Sequence, residues 1–155
     1  AGGSAEYIYD ATTARWRLVT HDQGAWITAT FNAANFTGSG AMTWTVEAGD
    51  VFTMAYWLKG RHLFVNIAIA NTSVGGVFDL TLNILNSAWG GFTNSKLMNV
   101  PYIEFNGSGT GVAGTMRVGS AATQITCYTT LSANANWVAS TNTTNVYGQI
   151  HFEID

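Results

Sequence analysis

Charge is what this sequence has least of. Of its 155 residues only 10% are Asp, Glu, Lys or Arg, and the six basic ones are scattered singly or in pairs. Such a chain offers no basic footprint for a phosphate backbone, so nucleic acid is not an expected partner. A lone cysteine, Cys127, excludes an internal disulfide and a thiolate zinc cluster. It stands in the alternating stretch Gln124-Ile125-Thr126-Cys127-Tyr128, where a packed thiol is the expectation. No apolar run approaches the roughly 18 residues that cross a membrane, so membrane insertion is not expected. Helical periodicity is missing as well: no long segment carries apolar residues at i, i+3, i+4 and i+7.

What remains is a chain of 47% hydrophobic residues, solvated mainly by Thr, Asn and Ser, and long enough for one compact core. Its Thr, Val, Ile and aromatic residues crowd into short alternating runs between Gly, Asn and Ser, which predicts an all-β fold. Residues 7–9 and 15–19, with a polar turn at 10–14, predict a first hairpin. The stretch 21–24 reads as a connector. Further strands are expected over 26–31, 42–46, 51–58, 61–70, 78–85, 102–105, 115–118 and 125–130. The last, 146–155, alternates most regularly: Val146, Gly148, Ile150, Phe152 and Ile154 point one way, and Tyr147, Gln149, His151, Glu153 and Asp155 the other. Many short strands with uneven loops predict a jelly-roll-like antiparallel β-sandwich over 25–155, preceded by a small N-terminal hairpin and connector over 1–24.

Several motifs point to chemistry that their context does not support. Gly109-Thr110-Gly111-Val112-Ala113-Gly114 spells the dinucleotide fingerprint, but it leads into a strand-like run rather than a helix N-terminus, so no cofactor is expected. Glu47, Asp50, Asp79 and Glu104 are the carboxylates available for glycoside hydrolysis, and none has a supporting signature. His21, His62 and His151 are too dispersed for a metal motif, leaving only a site shared around a symmetry axis. Asn35-Phe36-Thr37, Asn71-Thr72-Ser73, Asn106-Gly107-Ser108 and Asn142-Thr143-Thr144 are formal glycosylation triplets that an Asn- and Thr-rich chain supplies by chance.

The central pair of strands carries large apolar groups on both faces. With Lys59-Gly60 as a two-residue loop, Trp57 is expected opposite His62, and Ala55 opposite Phe64. Phe52, Met54, Tyr56, Leu58, Leu63, Val65 and Ile67 then form the core face. Val51, Thr53, Ala55, Trp57, His62, Phe64, Asn66 and Ala68 form the other. The small residues of this second face suit close approach and its aromatics suit buried anchors, so Val51, Ala55, Trp57, His62, Phe64 and Ala68 are candidate subunit-interface residues. A glycan platform, or cover by a loop of the same chain, are the competing readings.

Two loops carry tryptophan among small residues and amides. They are Asn86-Ser87-Ala88-Trp89-Gly90-Gly91-Phe92 and Ala133-Asn134-Ala135-Asn136-Trp137. Trp89, Phe92, Asn134, Asn136 and Trp137 are candidates for receptor contact, since a ring face stacks on sugar C–H groups while amides bond hydroxyls. The alternative is that each tryptophan folds inward and plugs an end of the sandwich.

Three phrases carry a family resemblance. "YIYDATTARWRLVTHDQGAW" resembles the aromatic hairpin and connector that precede the C-terminal β-domains of bacteriophage tail fibres and related virion attachment proteins. "MTWTVEAGDVFTMAYWLKGRHLFVNIAIANTSVGG" is similar to their central strands, although Arg61 departs from the smaller or apolar residue expected there, and "NTTNVYGQIHFEID" to their terminal strand. The resemblance implies a homotrimer assembled in a bacterial cytoplasm and displayed on a virion. The expectation is therefore a non-enzymatic attachment domain that presents loops to a host receptor such as a glycan. A free-standing carbohydrate-binding module and a jelly-roll capsid or decoration protein are the alternatives.

Overall fold

The computed structural model describes residues 5–10, 15–21, 25–76, 78–92, 97–119, 122–131 and 135–154. β1 (Ala5–Asp10) and β2 (Arg15–His21) pair antiparallel as a two-stranded sheet of their own, with Tyr9 opposite Trp16. The turn expected between them falls largely on 11–14, and most of the connector on 22–24, outside the described residues.

Ten further strands form one antiparallel sheet, and no α-helix occurs among the described residues. They are β3 (Ile27–Thr28), β4 (Phe36–Gly38), β5 (Met42–Thr45), β6 (Val51–Lys59) and β7 (His62–Gly76). Then come β8 (Thr81–Leu85), β9 (Met98–Phe105), β10 (Val112–Val118), β11 (Gln124–Tyr128) and β12 (Ser140–Glu153). Hydrogen-bonded neighbours run β3-β6-β7-β12-β9-β10-β11-β8-β4, and β5 pairs with the far end of β7. A short turn joins β4 to β5, closed by Met42 N–H donating to Ser39 O at 3.1 Å. The last strand of the series is thereby tied back to β7, and the sheet curls around its own core. This is the all-β, sandwich-like architecture expected from the alternating runs.

The curl needs a corner, and two asparagines make it. β7 and β12 each run through a left-handed residue, Asn71 at φ 62° and Asn142 at φ 54°. Asn tolerates this region better than other side chains with a Cβ. Asn71 N–H donates to Asn145 Oδ1 at 2.7 Å, and Asn142 N–H to Ser73 Oγ at 3.0 Å. Beneath them Thr72, fully buried, accepts from Trp44 Nε1 at 2.8 Å and donates to Thr144 O at 2.8 Å. Before the corner β7 pairs with β6, and after it with β5. Two of the four glycosylation triplets are this corner, and a third is packed inside, because Asn35 is buried and accepts from Ser87 Oγ at 2.6 Å.

The core is built from the faces that alternation predicts. On β12, Val146, Ile150 and Phe152 are buried, and so is Ile154 just beyond it. Gly148 interrupts that series for a steric reason: a Cβ there would lie 2.9 Å from Tyr102 Cβ and 3.0 Å from Met116 Cε. Gly114 likewise leaves room for the Tyr102 ring, where a Cβ would meet Cε1 at 2.6 Å. Gly114 therefore serves strand packing within β10 rather than a phosphate loop.

On β6 the expected core face is corrected at three positions. The ladder shifts between Val51 and Thr53, so that Val51 opposes Ile69 and Thr53 opposes Ala68. Phe52 is the extra residue of this bulge and is 65% exposed. Val51 is turned instead against the core cluster. Leu58, at the hairpin tip, is also exposed, whereas Met54, Leu63, Val65 and Ile67 are buried.

Candidate functional site

The loop of the central hairpin is Gly60-Arg61, not Lys59-Gly60, because Lys59 pairs with His62. Gly60 sits at φ 59° and Arg61 does not take a positive φ, the pattern of a type II′ turn, which favours Gly first. Moving the loop by one residue moves each partner by two, so the side chains keep their faces while the pairs change. Trp57 opposes Phe64 rather than His62, and Ala55 opposes Asn66.

Read across β6, β7 and β12, the outer face is a set of rows. Thr53, Ala68 and Tyr147 form one, and Ala55, Asn66 and Gln149 the next. Trp57, Phe64 and His151 follow, then Lys59, His62 and Glu153 at the tip. The third row is aromatic throughout. Trp57 and Phe64 have centroids 4.9 Å apart, and Phe64 stacks on His151 at 5.4 Å and 21°. Trp26, just before β3, lies 6.3 Å from Trp57 and extends the row over the sheet edge. Lys59 Nζ is 5.9 Å from the Trp57 ring, within cation–π range. Of the six interface candidates, Ala55, Trp57, Phe64 and Ala68 are half-buried on this face and His62 is exposed at its tip. Val51 does not belong to it, because the bulge turned it inward.

The loop tryptophans take the inward alternative. Trp89 is 1% exposed and Trp137 is 0% exposed, so neither offers a ring face to a sugar. Trp137 donates from Nε1 to Cys127 O at 3.2 Å, and its backbone N–H donates to Asp79 O at 3.1 Å. Trp89 closes a 3₁₀ turn, Asn86–Trp89, with its indole N–H buried and without a partner among the described residues. Both rings belong to the core cluster, where their large apolar area is removed from water. Phe92 is half-buried against Gly90, and its carbonyl accepts from Asn86 Nδ2 at 2.9 Å. Asn136 is exposed, and Asn134 lies outside the described residues.

The carboxylates are dispersed into local roles. Glu47 and Asp50 cap the 3₁₀ turn Ala48–Asp50 reciprocally, and Asp79 Oδ1 accepts from Leu80 N–H at 2.7 Å. Glu104 is different: it shares the core face of β9 with Tyr102 and is 1% exposed. Burial pushes its pKa up to about 7. Its Oε2 and the Tyr102 hydroxyl are both buried without a partner among the described residues. Burial raises the Tyr102 phenol strongly, helped by nearby Cys127 and Glu104, and pushes the Cys127 thiol up to about 12. The two-residue spacing of Tyr102 and Glu104 on a strand was the legible signal for this placement.

Among the described residues no three His, Cys, Asp or Glu side chains converge as a metal site, and no helix is long and apolar enough to cross a membrane. One grouping had no signal in the sequence: Asn99, Arg117 and Tyr128, from three different strands, line one open cleft with Pro101, Thr115 and Leu131. Comparison with known protein families, with curated proteins and with solved structures finds no match to this chain.

Proposed function

We propose that this chain is a non-enzymatic virion attachment domain, of the kind found in bacteriophage tail fibres, which assembles as a homotrimer and engages a glycan on the host surface. The observation that supports it is the outer face of β6, β7 and β12. Trp26, Trp57, Phe64 and His151 make a continuous aromatic row there, and the row beside it, Ala55, Asn66 and Gln149, has no charge. Large half-buried aromatics flanked by small residues suit a protein interface, where they act as anchors while the small side chains let a second backbone approach. A sugar, by contrast, finds little to bond at Ala55 and Ala68.

The test is the molar mass in solution, measured by light scattering across a dilution series. Three times the chain mass of 16.6 kDa is the expected result. A monomer that binds glycans would instead place the chain with free-standing carbohydrate-binding modules. A higher closed assembly without glycan affinity would favour a capsid or decoration protein.

A further inference from the structure

We propose that the cleft on the outer face of β9, β10 and β11 binds a carboxylated saccharide, with Arg117 as the ligand of its carboxylate. This deepens the attachment reading and rests on it. The cleft has a volume of about 350 Å³, in the range of small-ligand sites, and is lined by Asn99, Pro101, Thr115, Arg117, Tyr128 and Leu131.

Its floor is set by register. Asn99 opposes Arg117, which opposes Thr126, and in the adjoining row Pro101 opposes Thr115, which opposes Tyr128. Met116 and Cys127, of opposite parity, point into the core and are buried. One row is thus polar and the other largely apolar, side by side on a stiff sheet, and Leu131, 64% exposed, forms a wall.

A sugar ring has the same two-sidedness, an apolar C–H face and a rim of hydroxyls. Tyr128, Pro101 and Leu131 supply apolar surface for the first, and Asn99 and Thr115 supply donors and acceptors for the second.

The charge selects among sugars. The chain has a net charge of -3, yet among the described residues no carboxylate lines this cleft. Glu104, on β9, lies on the opposite, buried face. Lys59 is engaged with Trp57, and Arg61 with Ile154 O at 3.1 Å and Glu153 at 3.9 Å. The Arg117 side chain forms no ion pair or hydrogen bond among the described residues. A planar guanidinium with its fork open matches a carboxylate bidentately. One cation is too few to track a polyphosphate, so a uronic or sialic acid is the fitting class.

The experiment titrates the intact chain, by calorimetry, with tetragalacturonate, its methyl ester, 3′-sialyllactose and lactose. Binding of one of the two acids is expected, with its uncharged counterpart about tenfold weaker or more. Which acid binds distinguishes a uronic from a sialic source. Arg117→Gln should weaken the acid by a similar factor at unchanged melting temperature, and Asn99→Ala by less. Affinity should also fall with added salt. Equal binding of acid and neutral counterpart, or full affinity in Arg117→Gln, overturns the cleft as the site while leaving glycan attachment standing. Absence of binding to all four, in a chain that is also monomeric, removes the cleft and the attachment reading together.

Discussion

Trp57 and Phe64 face each other directly across the central hairpin, with ring centroids 4.9 Å apart on the side of the sheet away from the core. The contact joins two large aromatic groups of the outer face in one row with His151. Replacing Phe64 with Glu is expected to dissociate the proposed trimer. An unpaired charge in a desolvated contact costs several kcal/mol, comparable with the stability of a whole domain. Light scattering reads the outcome, and a variant that stays trimeric with unchanged melting places the interface on another face.

Glu104 makes stability depend on pH. Its carboxyl is held protonated in the fold up to about 7, against an ordinary value of 4.5, so the folded state binds the proton more tightly than the unfolded chain. Stability is then greatest below about 4.5, declines as pH rises towards 7, and levels off above it. The loss approaches at most about 3 kcal/mol. Glu104→Gln should therefore raise the melting temperature at pH 8 and change it little at pH 4, as differential scanning fluorimetry can measure. Equal effects at both pH values would rule this origin out.

The two buried tryptophans are expected to respond differently to the same small change. Truncation to Ala should destabilise by roughly 3–5 kcal/mol at either position. Trp137→Phe removes the hydrogen bond to Cys127 O, whereas Trp89→Phe removes a donor that has no partner among the described residues. Denaturant unfolding should find Trp137→Phe the more damaging, by about 1 kcal/mol. Loss of glycan binding in Trp89→Ala with unchanged stability would contradict the buried placement.

Thr72 is the hinge pin of the corner. Thr72→Val keeps the shape but takes away both the acceptor of Trp44 Nε1 and the donor to Thr144 O. Two buried groups lose their partner, each at about 1–3 kcal/mol. Thr43→Val, on the exposed face of β5, is the control and should be nearly silent. Chemical denaturation compares the two, and equal midpoints would show that the corner is not held there.

Much of the fold was legible because strand periodicity is a local property. The alternation of β12 named its buried side chains, and the run after Gly114 excluded a phosphate loop without any coordinates. Local patterning also placed the first hairpin, where Tyr9 and Trp16 are paired. It failed where one residue changes the count. The bulge at Phe52 has no mark in the sequence, yet it exchanges Phe52 and Val51 between solvent and core. The hairpin loop fell one residue later than Lys59-Gly60 suggested, since Gly60 meets the demand for positive φ at the first loop position.

The sequence by itself determined the class of structure and the parity of its faces, because both follow from the two-residue repeat of an extended chain. Tertiary structure alone decided which faces are covered and which residues of distant strands meet. Asn71 and Asn142 read only as members of chance glycosylation triplets until β7 and β12 are paired through them. Trp89 and Trp137 were equally suited to solvent and to the core until the curl of the sheet provided an interior for them. Arg117 lies 18 residues from Asn99 and 11 from Tyr128 in the chain, and only the register of β9, β10 and β11 sets the three side by side. Pairing between strands depends on the closure of the whole sheet, a property that no short stretch of sequence carries.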